Sequence, residues 1–139
     1  MTHDQFKKAA AYWNPDFTVE DTQNHGSCIG ASIDIGHYMR GGFDTYEITR
    51  RYIDIGKMYH FHLRDVSTIS PHGLDVPCGT GKGRLKEIFQ ALNDSHTQPL
   101  MMLEYEPDFD NPMPYLIQSV NEINRLCDEL IKANNEKAR

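Results

Sequence analysis

Three short runs of this chain alternate apolar and polar residues and end in side chains that can bind metals. They are Ile29-Gly30-Ala31-Ser32-Ile33-Asp34-Ile35-Gly36-His37, Tyr59-His60-Phe61-His62-Leu63-Arg64-Asp65 and Leu100-Met101-Met102-Leu103-Glu104-Tyr105-Glu106. Side chains of a strand alternate between its two faces. Ser32 and Asp34 therefore share one face of the first run. His60, His62 and Arg64 share one face of the second, and Met102, Glu104 and Glu106 one face of the third. The opposite faces carry Ile33 and Ile35, then Tyr59, Phe61 and Leu63, then Met101, Leu103 and Tyr105. This pattern predicts strands over about residues 29–35, 58–64 and 100–106, with one polar site assembled across their ends.

Between these runs the spacing turns helical. Thr2-x-x-Gln5 has the form of a capping box. It opens a helix predicted over about 3–12, with Phe6, Ala9, Ala10 and Trp13 at helical spacing. Asn14-Pro15-Asp16 breaks it. Asp16 caps a second short segment through Phe17 and Val19, which frays into Asn24-His25-Gly26-Ser27. Gly36, Gly41 and Gly42 mark an irregular loop. Asp44-x-x-Glu47 opens a helix to about 55, with Tyr46, Thr49, Tyr52 and Ile53 inward and Gly56 as its stop. A loop over 65–82 holds Pro71, Pro77 and several glycines, and loops of that length in compact domains are usually functional or mobile. A helix over 84–93 buries Leu85, Ile88, Phe89 and Leu92. Asn111-Pro112 reads as an N-cap and first helical residue. The last helix runs through Leu116, Val120, Ile123, Leu126, Cys127 and Leu130. Strands separated by helices imply right-handed βαβ units and a parallel sheet. Residues 1–139 form one domain by length.

Net charge narrows the partners. With 14 basic and 20 acidic residues the chain carries −6, whereas phosphate-backbone binding needs an excess of Lys and Arg. Neither nucleic acid nor a membrane is an expected partner. Three scattered cysteines do not make a disulfide framework, and no signal peptide or long apolar run is visible. A reduced, cytoplasmic protein is the expectation. His25-x-x-Cys28 has no second pair and reads as a turn histidine with a buried thiol.

Asp, His and Glu on neighbouring strand ends suit Mn²⁺, Mg²⁺, Co²⁺ or Zn²⁺. Each alone would be a polar strand end bonded to solvent or backbone. Asp34, His62 and Glu104 together read as a metal site. His60 reads as a satisfied interior histidine or a support for a ligand. Arg64 and Asp65 sit at the mouth, where Arg64 either binds a substrate phosphate or hydroxyl or forms a surface ion pair. Gly79-Thr80-Gly81-Lys82-Gly83 lacks the spacing of a P-loop. A flexible turn before a helix is the simpler reading.

At five motifs the chain resembles the C-terminal part of the sugar phosphate isomerase/epimerase family, the xylose isomerase-like TIM-barrel superfamily that also holds endonuclease-four-type abasic-site nucleases. The motifs are Asp34-Ile35-Gly36-His37, Arg40-x-Gly42, His60-Phe61-His62-Leu63-Arg64-Asp65, Asp75-Val76-Pro77-Cys78-Gly79-Thr80-Gly81 and Leu103-Glu104-Tyr105-Glu106. The match runs from about Trp13 to Leu130. The resemblance implies an α/β fold in the form of a partial (β/α) TIM barrel, its three parallel strands equivalent to strands six, seven and eight. A complete barrel takes about 250 residues, so the resemblance covers little more than half of one. Family enzymes hold one divalent cation with four side chains. Asp34, His62 and Glu104 match three, and the fourth, a Glu from the preceding strand, has no counterpart here. His37 matches a histidine that touches substrate oxygens, and Glu104 is the remaining candidate for the base that moves a proton on the carbon beside a carbonyl.

The resemblance implies a metal-dependent isomerase or epimerase acting on a sugar or sugar phosphate. The fourth ligand would come from a partner chain, Glu106 or water. The alternative is a non-catalytic remnant serving as an oligomerising or binding module. An abasic-site nuclease is the least favoured reading, since it needs a multi-metal cluster and a basic groove. Three strands of a barrel leave open edges and a bare sheet face, so a homo-oligomer, or a second polypeptide supplying the other barrel half, is expected to cover them.

Overall fold

The computed structural model describes residues 15–138. The helix expected over 3–12 lies outside the described residues. Helix α1, Pro15–Gln23, closes in turns at Asn24 and His25. Strand β1, Ala31–Asp34, leads directly into helix α2, Ile35–Arg40, and then helix α3, Thr45–Asp54. Strand β2 is Met58–Leu63. A two-residue ribbon, β3 Asp65–Val66 with β4 Asp75–Val76, precedes helix α4, Leu85–Asp94. Strand β5, Leu100–Leu103, and helix α5, Met113–Lys137, complete the order.

β1, β2 and β5 form a parallel sheet in that order, alternating with helices, and among the described residues no closed barrel forms. The register sets Asp34 opposite His62 and His62 opposite Met102. The Glu104 amide continues the ladder by donating to the Leu63 carbonyl at 3.0 Å. One face of the sheet supplies Ile33, Phe61 and Leu63 to the core, where Ile48 and Tyr52 of α3, Ile88, Phe89 and Leu92 of α4 and Leu126 of α5 pack. The other face carries Ser32, His60, His62 and Met102, all exposed or half-buried.

Several expected boundaries shift for local reasons. The first strand stops at Asp34 because the Asp34 side chain caps α2, its Oδ1 accepting from the His37 amide at 2.8 Å. Ile35, Gly36 and Met39 of α2 are buried, so the expected irregular loop is a short core helix. In α3 the buried residues are Thr45, Ile48, Thr49 and Tyr52, with Tyr46 and Ile53 half-buried. Gly56 ends that stretch at a φ of +66°, the left-handed position expected of it. The third strand stops at Leu103. Pro112 takes the cap position of α5 rather than its first turn, and α5 buries Tyr115, Ser119 and Leu126 while Val120 is exposed. The expected loop over 65–82 contains the β3–β4 ribbon, in which Asp65 pairs with Val76 and Val66 with Asp75.

Candidate functional site

The polar ends of the three strands converge. Asp34 closes β1, His62 is the penultimate residue of β2, and Glu104 follows β5. One ligand atom of each lies within 4.8 Å of the others. His62 Nδ1 is 2.5 Å from Glu104 Oε2 and 3.6 Å from Asp34 Oδ2. The cap on α2 uses Asp34 Oδ1 and turns Oδ2 inward. His37, in the first turn of α2, brings Nε2 to 3.8 Å from Asp34 Oδ2 and stays largely exposed at the rim. Ser32, Asp34, His37, Tyr38, His62 and Glu104 line an open basin of about 530 Å³.

Arg64 is not at the mouth. Its side chain is fully buried beneath the three residues, two positions past His62 on the same face. Nη2 lies 2.8 Å from Glu104 Oε1 and 3.2 Å from Asp34 Oδ2. Nη1 reaches Glu106 Oε2 at 3.0 Å and lies 3.7 Å from Asp75 Oδ2. Asp75 is held in turn by Arg40. Gly36 makes room for this arrangement, since a Cβ there would overlap the Arg64 stem. The expectations of a surface ion pair and of a guanidinium open to substrate both give way to an interior ion-pair hub. Burial opposes the Arg64 charge, but hydrogen bonding to Glu106 and Glu104 and the field of Asp34 outweigh it and raise its pKa. Burial also opposes the Glu104 charge, and contact with Arg64, then His62, holds that carboxyl below its ordinary range.

A divalent cation fits this arrangement on two counts. Asp34 Oδ2 and Glu104 Oε2 are buried and turn to the same His62 Nδ1, at 3.6 and 2.5 Å, so one oxygen of each carboxylate faces the shared ligand group. Formally, Asp34, Asp75, Glu104 and Glu106 set four carboxylates against the guanidiniums of Arg64 and Arg40, leaving an excess of two negative charges. Two carboxylates and an imidazole suit the borderline and hard divalent ions. Glu106 is not in the ligand group and points its carboxylate to Arg64 instead.

The remaining sequence candidates are accounted for locally. His60 Nδ1 pairs with the Ser32 hydroxyl at 2.7 Å and stacks edge-on to His62. His25 bonds the Asp21 carbonyl through Nδ1, as a turn histidine does. Cys28 is exposed and Cys78 is the buried thiol, its pKa pushed up to about 11 by burial. Asp65 lies inside and accepts amides of the glycine loop at 2.8–2.9 Å: Gly79 and Gly81 on Oδ2, Val66 and Gly83 on Oδ1. Asp75 and Arg40 entered the sequence reading only as parts of motifs. No spacing within those motifs sets them beside Arg64.

No known protein-family model matches the chain, and no curated protein matches it. Among the described residues, no helix is long and apolar enough to cross a membrane.

Proposed function

We propose that this domain is equivalent to the last three β–α units of a xylose isomerase-like barrel and acts as a metal-dependent isomerase or epimerase on a sugar or sugar phosphate. The observation that carries the reading is the convergence of Asp34, His62 and Glu104, with one oxygen of each carboxylate turned to His62, at an open basin. These three side chains would hold the cation. When bound, the cation supplies Lewis-acid polarisation of a carbonyl and its neighbouring hydroxyl. Glu104, kept ionised by Arg64, is the group available to take a proton from the adjacent carbon. His37, exposed at the rim, presents its imidazole to substrate oxygens. A fourth ligand comes from water or from a partner chain.

Metal content and affinity of the purified protein test this reading. One Co²⁺ or Mn²⁺ per chain is expected, with binding lost in Asp34→Ala and His62→Ala and aldose–ketose interconversion lost with it. Sub-stoichiometric metal that neither substitution affects would sink it. A binding or oligomerising module is the second reading. It draws on the exposed apolar side chains Leu100, Met102 and Phe109 at and beyond the β5 edge, of which Phe109 is 82% exposed.

A further inference from the structure

We infer that Arg64 is a positioning residue that sets the separation and direction of the Asp34 and Glu104 carboxylates and thereby the affinity of the site for its cation. The inference rests on the reading of Asp34, His62 and Glu104 as metal ligands and goes beyond it, because Arg64 is fully buried and lies outside that ligand group. The guanidinium has two working ends. Nη1 is anchored on Glu106 at 3.0 Å, with Asp75 behind it at 3.7 Å. Nη2 faces the ligands, 2.8 Å from one oxygen of Glu104 and 3.2 Å from one oxygen of Asp34.

Each ligand carboxylate is divided between two tasks. Asp34 gives Oδ1 to the α2 amide and leaves Oδ2 for the site. Glu104 sets Oε1 against Arg64 and leaves Oε2 facing His62. Nη2 takes Glu104 Oε1 at 2.8 Å and approaches Asp34 Oδ2 only at 3.2 Å, so it orients both carboxylates while Glu104 Oε2 and Asp34 Oδ2 still face His62. Only a planar, forked cation can serve both ends at once. A lysine carries the same charge on a single head and cannot span Glu106 and the ligand pair together. The stem is fixed as well, packed where any side chain at position 36 would collide with it.

Arg64→Lys separates geometry from charge. Co²⁺ titration, read by affinity and by the visible absorption that reports ligand geometry, is run on the wild type, Arg64→Lys, Glu106→Gln, Asp34→Ala and His62→Ala. Circular dichroism and thermal midpoint monitor the fold. Arg64→Lys is expected to bind Co²⁺ about 10-fold more weakly or worse, the scale on which partners of metal ligands act, with an altered absorption band and an intact fold. Glu106→Gln is expected to weaken binding in the same direction by loosening the Nη1 anchor. If Arg64→Lys fails to fold, Glu106→Gln alone decides. Affinity within about twofold of the wild type, where loss of a supporting partner should cost 10-fold or more, overturns the inference. So does tighter binding, which would make Arg64 a competitor of the ion. In those cases Asp34→Ala and His62→Ala still abolish binding and the metal reading stands. A wild type that takes up no Co²⁺, or that Asp34→Ala and His62→Ala match, overturns both.

Discussion

Replacing Asp65 with Ala removes one carboxylate and strands the amides of Val66, Gly79, Gly81 and Gly83 in a site where Asp65 itself is 1% exposed. An unpaired buried donor costs about 1–3 kcal/mol. Asp65→Ala is therefore expected to lose at least about 3 kcal/mol in urea denaturation, a large share of a typical stability of about 5–15 kcal/mol. Asp65→Asn, which keeps one acceptor oxygen, should lose less. Equal stability of Asp65→Ala and the wild type would show that the loop holds its shape without the carboxylate. The glycines of this loop are legible in the sequence as a turn or an anion cradle. That the chain's own Asp65 fills the cradle is not, because the two halves are far apart in the sequence. A Cβ on Gly83 would come within 2.8 Å of Asp65 Oδ1, so the glycine is required by a contact that no local pattern announces. Arg64 is similar. Alternation places it on the His62 face, but its burial depends on four acids drawn from three separate segments of the chain.

At the scale of elements, caps and periodicity account for most of what the sequence reveals. Asp44 begins α3 by accepting the Tyr46 amide at 2.9 Å and also pairs with Arg84 at 2.7 Å. Asp44→Ala is expected to cost about 0.5–2 kcal/mol, as losses of such caps do. A shift in the thermal midpoint measures it, and no shift would mean that α3 is held by its packing alone. The three strands, their parallel order and the four described helices predicted from spacing are all present. The errors fall where one residue serves two elements. Asp34 ends a strand and caps a helix, and the apolar alternation of Ile33 and Ile35 hides the change, since Ile35 is equally buried in either state. In α5 the apolar spacing overstates the core, since Val120 is exposed.

Across the whole molecule the sheet has three strands and therefore two outer ones, β1 and β5, each paired on one side among the described residues. Leu100 is 71% exposed and Met102 50% exposed on β5. Unpaired edges and apolar patches of this kind are ordinarily covered. Sedimentation is expected to give a dimer or a larger assembly, and Met102→Lys is expected to shift it toward monomer. A monodisperse wild-type monomer would count against it. The order of strand pairing also gives the site a history. β1 and β2 are nearer in the chain than β2 and β5, so Asp34 and His62 are expected to meet first. Glu104 lies beyond the ribbon and α4 in the chain, so it is expected to join when β5 docks. Non-local pairings of this kind are the slow ones. A chain caught before that step would present two of the three proposed ligand side chains and an unfinished pocket. An ion that requires all three can engage only the finished sheet, so by mass action it draws the final strand into place.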